Sequence, residues 1–128
     1  MTNSKCMSVG TINFYKNGIL AGEYSVPFDQ SDVGGNEQLK WIAEEYSGMV
    51  PEDITLENRI RVFITFLARD IIKCFELVDS PAPNVRASSL SLSTRFAACI
   101  ARLTGLESWV MEFDELDNRG VRVSWRGI

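Results

Sequence analysis

Between Thr55 and Val78 the apolar residues recur at a spacing that only a long helix satisfies. Ile60, Phe63, Ile64, Leu67, Ile71, Phe75 and Val78 form one stripe, and Asn58, Arg61, Thr65, Arg69, Lys73 and Glu76 form the opposite one. Thr55 is placed to cap the N-terminus. At 1.5 Å per residue the element is roughly 34 Å long, enough to cross a domain of this size. Val62, Phe66 and Leu77 widen the apolar arc, which predicts burial on more than one side. Such a helix belongs at the centre of the fold, and the rest of the chain must cover it.

Both ends of the chain have the two-residue period of strands. Residues 9–26 read as a hairpin around Asn17-Gly18. A three-residue loop, Lys16-Asn17-Gly18, aligns Phe14 with Leu20 and Ile12 with Gly22. It gathers Ile12, Phe14, Leu20, Tyr24 and Val26 on one face, and burial of one face fixes register. Near the C-terminus Trp109, Met111 and Phe113 alternate with polar or smaller residues, as do Val121, Val123 and Trp125. Pairing Phe113 with Val121, Met111 with Val123 and Trp109 with Trp125 matches the apolar residues and sets Glu112 opposite Arg122.

Two shorter helices complete the pattern. Asn36 can cap one that carries Leu39, Ile42, Ala43 and Tyr46 on a single face and ends at Gly48. Another runs from about Ser91 to Leu103 and ends at Gly105, with Ala97, Ala98 and Ala101 allowing close approach to the central helix. Asp79 to Arg86, with Pro81 and Pro83, reads as a linker, and residues 88–93 are compatible with strand or helix. The expected order is ββαααββ. It describes a single α+β domain over 1–128, in which two antiparallel hairpins join into one antiparallel sheet covered on one face by three helices.

Composition narrows the chemistry. The 128 residues include no histidine, which excludes Ser-His-Asp and Cys-His catalysis and His-ligated zinc. Cys6, Cys74 and Cys99 form no C-x-x-C pair and suit a reducing compartment, so a cytoplasmic location is expected. Gly34-Gly35 lacks the Lys-Ser/Thr of a phosphate loop. Charges interrupt the long helix, so no membrane span is expected. No catalytic, metal or cofactor site follows from these residues, and the chain is expected not to be an enzyme.

The net charge of −4 divides unevenly. Residues 1–58 carry three lysines against nine acids, and residues 59–128 carry ten bases against eight acids. Glu44, Glu45, Glu52, Asp53 and Glu57 have no base among them, and Trp41 lies off the apolar stripe of its helix beside Glu45. These six residues form the candidate partner-binding face. Its acidity would speed association with a basic surface, and a tryptophan in a polar rim is a common interface anchor. A bland account also fits: acids are favoured around a helix N-terminus in any case, and Trp41 can pack on the hairpin or on the central helix. Arg119, Arg122, Trp125 and Arg126 interleave basic with aromatic groups as single-strand nucleic-acid binders do. Glu112, Asp114, Glu115 and Asp117 largely cancel them, so no direct nucleic-acid contact is expected.

In size, acidity and lack of catalytic equipment the chain is similar to the small acidic inhibitors of bacteria and phages, such as immunity proteins and anti-CRISPR proteins. No residue carries over from that likeness. The expectation is a small acidic cytosolic protein-binding module. Its leading form is an immunity protein that neutralises a nuclease-type toxin. A secretion chaperone or a phage anti-defence binder is the second form, and a small-ligand enzyme or ligand carrier is a separate, third class.

Overall fold

A computed structural model describes residues 7–29, 55–117 and 119–128, without the side chains of Leu56, Glu57, Arg59 and Phe63. Strand β1 (Ser8–Lys16) turns into β2 (Ile19–Phe28). Helix α1 (Leu56–Glu76) runs through a 3₁₀ turn (Leu77–Asp79) toward helix α2 (Pro83–Thr104). Strands β3 (Trp109–Leu116) and β4 (Gly120–Gly127) follow. This is an α+β arrangement with two helices among the described residues. The helix expected over 36–48 lies outside them.

The hairpins do join, but the sheet is mixed rather than antiparallel. Its order is β2-β1-β3-β4, and β1 runs parallel to β3 from Gly10–Trp109 to Lys16–Glu115. Both hairpins contribute their first strand to the centre, and these two strands run in the same direction. A parallel pair needs a long crossover, which the chain between β2 and β3 supplies.

The first turn departs from the expected three-residue loop. Lys16 pairs with Ile19 and Tyr15 with Leu20, leaving a two-residue Asn17-Gly18 turn with φ of 50° and 80°. Positive φ at both central positions matches the twist of the flanking strands. The register then shifts between Phe14 and Tyr15, so Phe14 faces Gly22 and Ile12 faces Tyr24. This bulge at Ala21 separates Leu20 from the core: it shares a face with Tyr15 and stays 48% exposed, while Ile12, Phe14, Val26 and Phe28 are buried.

The last hairpin keeps its faces but slides by two residues. Phe113 pairs with Val123, Met111 with Trp125 and Trp109 with Gly127, and the charged pair is Asp114 with Arg122. A slip of two preserves side-chain parity, so apolar matching does not distinguish the two registers.

Helix α1 starts where its cap predicted, with the Thr55 hydroxyl accepting from the Asn58 N–H at 3.3 Å. Ile60, Ile64, Ala68, Ile71, Ile72 and Phe75 are buried along it. The broad apolar arc is not buried all round: Val62 and Phe66 face outward.

Helix α2 begins well before Ser91, and the second half of the expected linker, from Pro83 to Arg86, belongs to it. Pro83 occupies the first turn, where its missing N–H has no intrahelical role and its fixed φ suits the helix. The Ser-Leu-Ser-Leu-Ser run is helical. Ser89 and Ser93 are buried in line with Ala97 and Ala101, while Leu90 and Leu92 are exposed. A small-residue face with a four-residue repeat therefore overrides the apparent alternation. Gly105 ends the helix, as expected.

The core forms where both helices meet one face of the sheet, around Ile12, Phe28, Ile64, Phe75, Ile100, Trp109 and Phe113. Trp109 is completely buried, and its indole N–H donates to the Ala97 carbonyl at 3.0 Å. Gly10, beside it on β1, makes room: a Cβ there would lie 2.5 Å from the indole Cζ2.

Candidate protein-binding surface

The exposed side of α1 meets the β4 edge through Arg61. Its guanidinium lies over the Trp125 ring, 4.8 Å from the centroid, and Nη1 donates to the Val123 carbonyl at 2.6 Å. A planar cation on an aromatic face with a simultaneous backbone bond fixes this long side chain. It also occupies a carbonyl on the edge strand of the sheet, where an open carbonyl would be a template for another strand.

One turn along, the Thr65 hydroxyl donates to the Arg61 carbonyl at 2.7 Å. Arg61, Val62, Thr65 and Phe66 line an open depression of ≈ 420 Å³. Phe66 is 62% exposed and Val62 43%. Arg69, Asp70 and Lys73 are exposed further along α1. The result is an apolar step walled by a fixed arginine and continued by charged residues.

The described residues include few of those singled out from sequence as the candidate partner-binding face. Trp41, Glu44, Glu45, Glu52 and Asp53 lie outside the described residues. Glu57 stands in the first turn of α1, with its side chain outside the description. The basic-aromatic set of the last hairpin is divided by the strand's period. Trp125 is half-buried on the helix-covered face, whereas Arg122 and Arg126 are exposed at alternate positions on the other. The surface around Phe66 was missed because its residues continue the apolar arc of α1. Only tertiary packing shows that Val62 and Phe66, within that arc, are exposed.

Two carboxylates of the last hairpin have structural partners. Glu112 Oε2 accepts from the Tyr15 hydroxyl at 3.0 Å, and this bond, followed by desolvation and nearby carboxylates, raises the phenol above its usual range. Asp114 Oδ1 accepts from the Gly18 N–H at 3.0 Å. Burial pushes the Cys99 thiol up to about 11 despite Arg102, so it stays protonated and unreactive near neutrality. Desolvation likewise raises Cys74. Among the described residues no group of three His, Cys, Asp or Glu converges as metal ligands, and no helix is long and apolar enough to cross a membrane.

Neither a protein-family model nor a curated protein nor a solved structure matches this chain.

Proposed function

We propose that the chain is a protein-binding module of the inhibitor or immunity class, which acts by covering a nuclease-type toxin rather than by catalysis. The observation that carries this reading is the exposure of Phe66 beside Val62, next to an arginine already ordered on Trp125. Aromatic and arginine side chains dominate binding energy at protein interfaces, and an ordered arginine loses little further entropy on binding. The acidic residues Glu44, Glu45, Glu52, Asp53 and Glu57, with Trp41, are the second part of the proposal. They would steer a basic partner, such as the substrate groove of a nuclease, toward the module.

The test is a binding titration against nuclease-type toxin domains. Phe66→Ala should weaken binding about tenfold or more, mainly through faster dissociation. Charge reversal at Glu44, Glu45 and Glu52 should slow association and flatten its salt dependence. If neither set of changes alters binding, this surface assignment is wrong. Tight binding to a secreted effector instead of a toxin would favour the chaperone form of the same reading.

A further inference from the structure

The two hairpin turns are tied to each other at one end of the sheet. Asn17 donates its backbone N–H to the Glu115 carbonyl at 2.9 Å, and its side-chain Oδ1 accepts from the Asp117 N–H at 3.1 Å. The next N–H, that of Gly18, is held by Asp114 Oδ1 at 3.0 Å. Both turn residues are exposed, and this is the single Asn-Gly step in the sequence.

An Asn-Gly step is the backbone sequence most open to self-modification, because glycine has no Cβ to hinder its own nitrogen. The Gly18 nitrogen can attack Asn17 Cγ. A new C–N bond forms, the Cγ–Nδ2 bond breaks, and ammonia departs with the amide proton. Water then opens the cyclic imide at either carbonyl, leaving aspartate or isoaspartate. The sum consumes one water, releases one ammonia and involves no change of oxidation state.

In this fold both reacting groups are held by the other hairpin: the nucleophilic nitrogen through Asp114, and the side-chain amide through Asp117. We propose that Asn17 is a conformationally gated modification site, deamidated only when the contact between the two hairpin turns opens. The reaction makes that opening permanent. Isoaspartate adds a methylene to a two-residue turn that has no room in its register for another backbone atom, and either product puts a negative charge beside Asp114, Glu115 and Asp117.

The experiment incubates the full chain at neutral pH, native and in urea, and follows deamidation at Asn17 by peptide mass spectrometry with isoaspartate detection. The native rate should be about tenfold or more below the urea rate, because reaction is limited by the open population. Asp114→Ala, shown to be folded by circular dichroism, should raise the native rate several-fold, and Asn17→Gly should remove the signal. Equal rates in native buffer and urea would overturn the proposal. So would full protection in folded Asp114→Ala. Should that variant not fold, hydrogen exchange of the Gly18 amide in the unmodified chain decides: slow exchange supports the gate, and exchange at the open-turn rate overturns it.

Discussion

Arg61 and Trp125 are stacked across the junction of α1 and β4, 4.8 Å from guanidinium carbon to ring centroid, with the same arginine bonded to the Val123 carbonyl. The pair connects the exposed side of the long helix to the edge of the sheet. Replacing Arg61 by Ala removes the cation–π contact and a charged hydrogen bond, and should lower stability by about 1–3 kcal/mol. Lysine cannot reproduce the planar stack and should recover only part of that. A double-mutant cycle with Trp125→Ala, read by urea denaturation, should give a coupling of about 0.5–2 kcal/mol. Additive effects would show that the stack contributes nothing.

Gly10 and Trp109 test how tightly the sheet centre is filled. An alanine Cβ at position 10 would sit 2.5 Å from the indole Cζ2 and 3.0 Å from the Ala97 Cβ. Neither neighbour can retreat, since Trp109 is completely buried and bonded to α2. Gly10→Ala should therefore cost about 1–3 kcal/mol, seen as a lower denaturation midpoint. Trp109→Phe, which loses the bond to the Ala97 carbonyl and leaves a void, should cost at least as much.

Ser93 makes the opposite prediction. It is completely buried in α2, and its hydroxyl has no hydrogen-bond partner among the described residues. Removing an unsatisfied hydroxyl recovers its desolvation cost at the expense of a small void. Ser93→Ala should be neutral or stabilising by up to about 1 kcal/mol. A loss greater than that, measured by thermal unfolding, would reveal a partner for the hydroxyl.

Cys99 links stability to alkaline pH. Its folded pKa, raised mainly by burial to about 11, stands above the usual thiol value of 9.0. Above pH 9 the unfolded chain releases this proton while the folded chain keeps it. The contribution is thus fully present below the ordinary thiol pKa and is lost as pH rises toward 11, roughly 2–3 kcal/mol in all. Cys99→Ala should flatten the fall of the denaturation midpoint between these pH values. In native buffer the thiol should also resist aromatic disulfide reagents until denaturant is added, and rapid native labelling would contradict its burial.

The elements of this protein follow from local chemistry that is legible in the sequence. The Thr55 cap, the stripe from Ile60 to Phe75, the Gly105 stop and the alternation through Trp109, Met111 and Phe113 each depend on neighbours within a turn or a strand. The N-terminus of α2 was also legible, because Pro83 suits a first helical turn, but the serine-leucine alternation obscured it. Tertiary structure decided what involves more than one element. The parallel contact of β1 with β3 depends on how the crossover returns to the sheet. The two-residue slide of β4 preserves every side-chain face, so only three-dimensional packing distinguishes its register. The bulge at Ala21 that puts Leu20 outside, and the exposure of Phe66, arise for the same reason. A hydrophobic pattern specifies which residues can be buried, whereas burial itself requires a neighbouring surface, and that surface comes from distant parts of the chain.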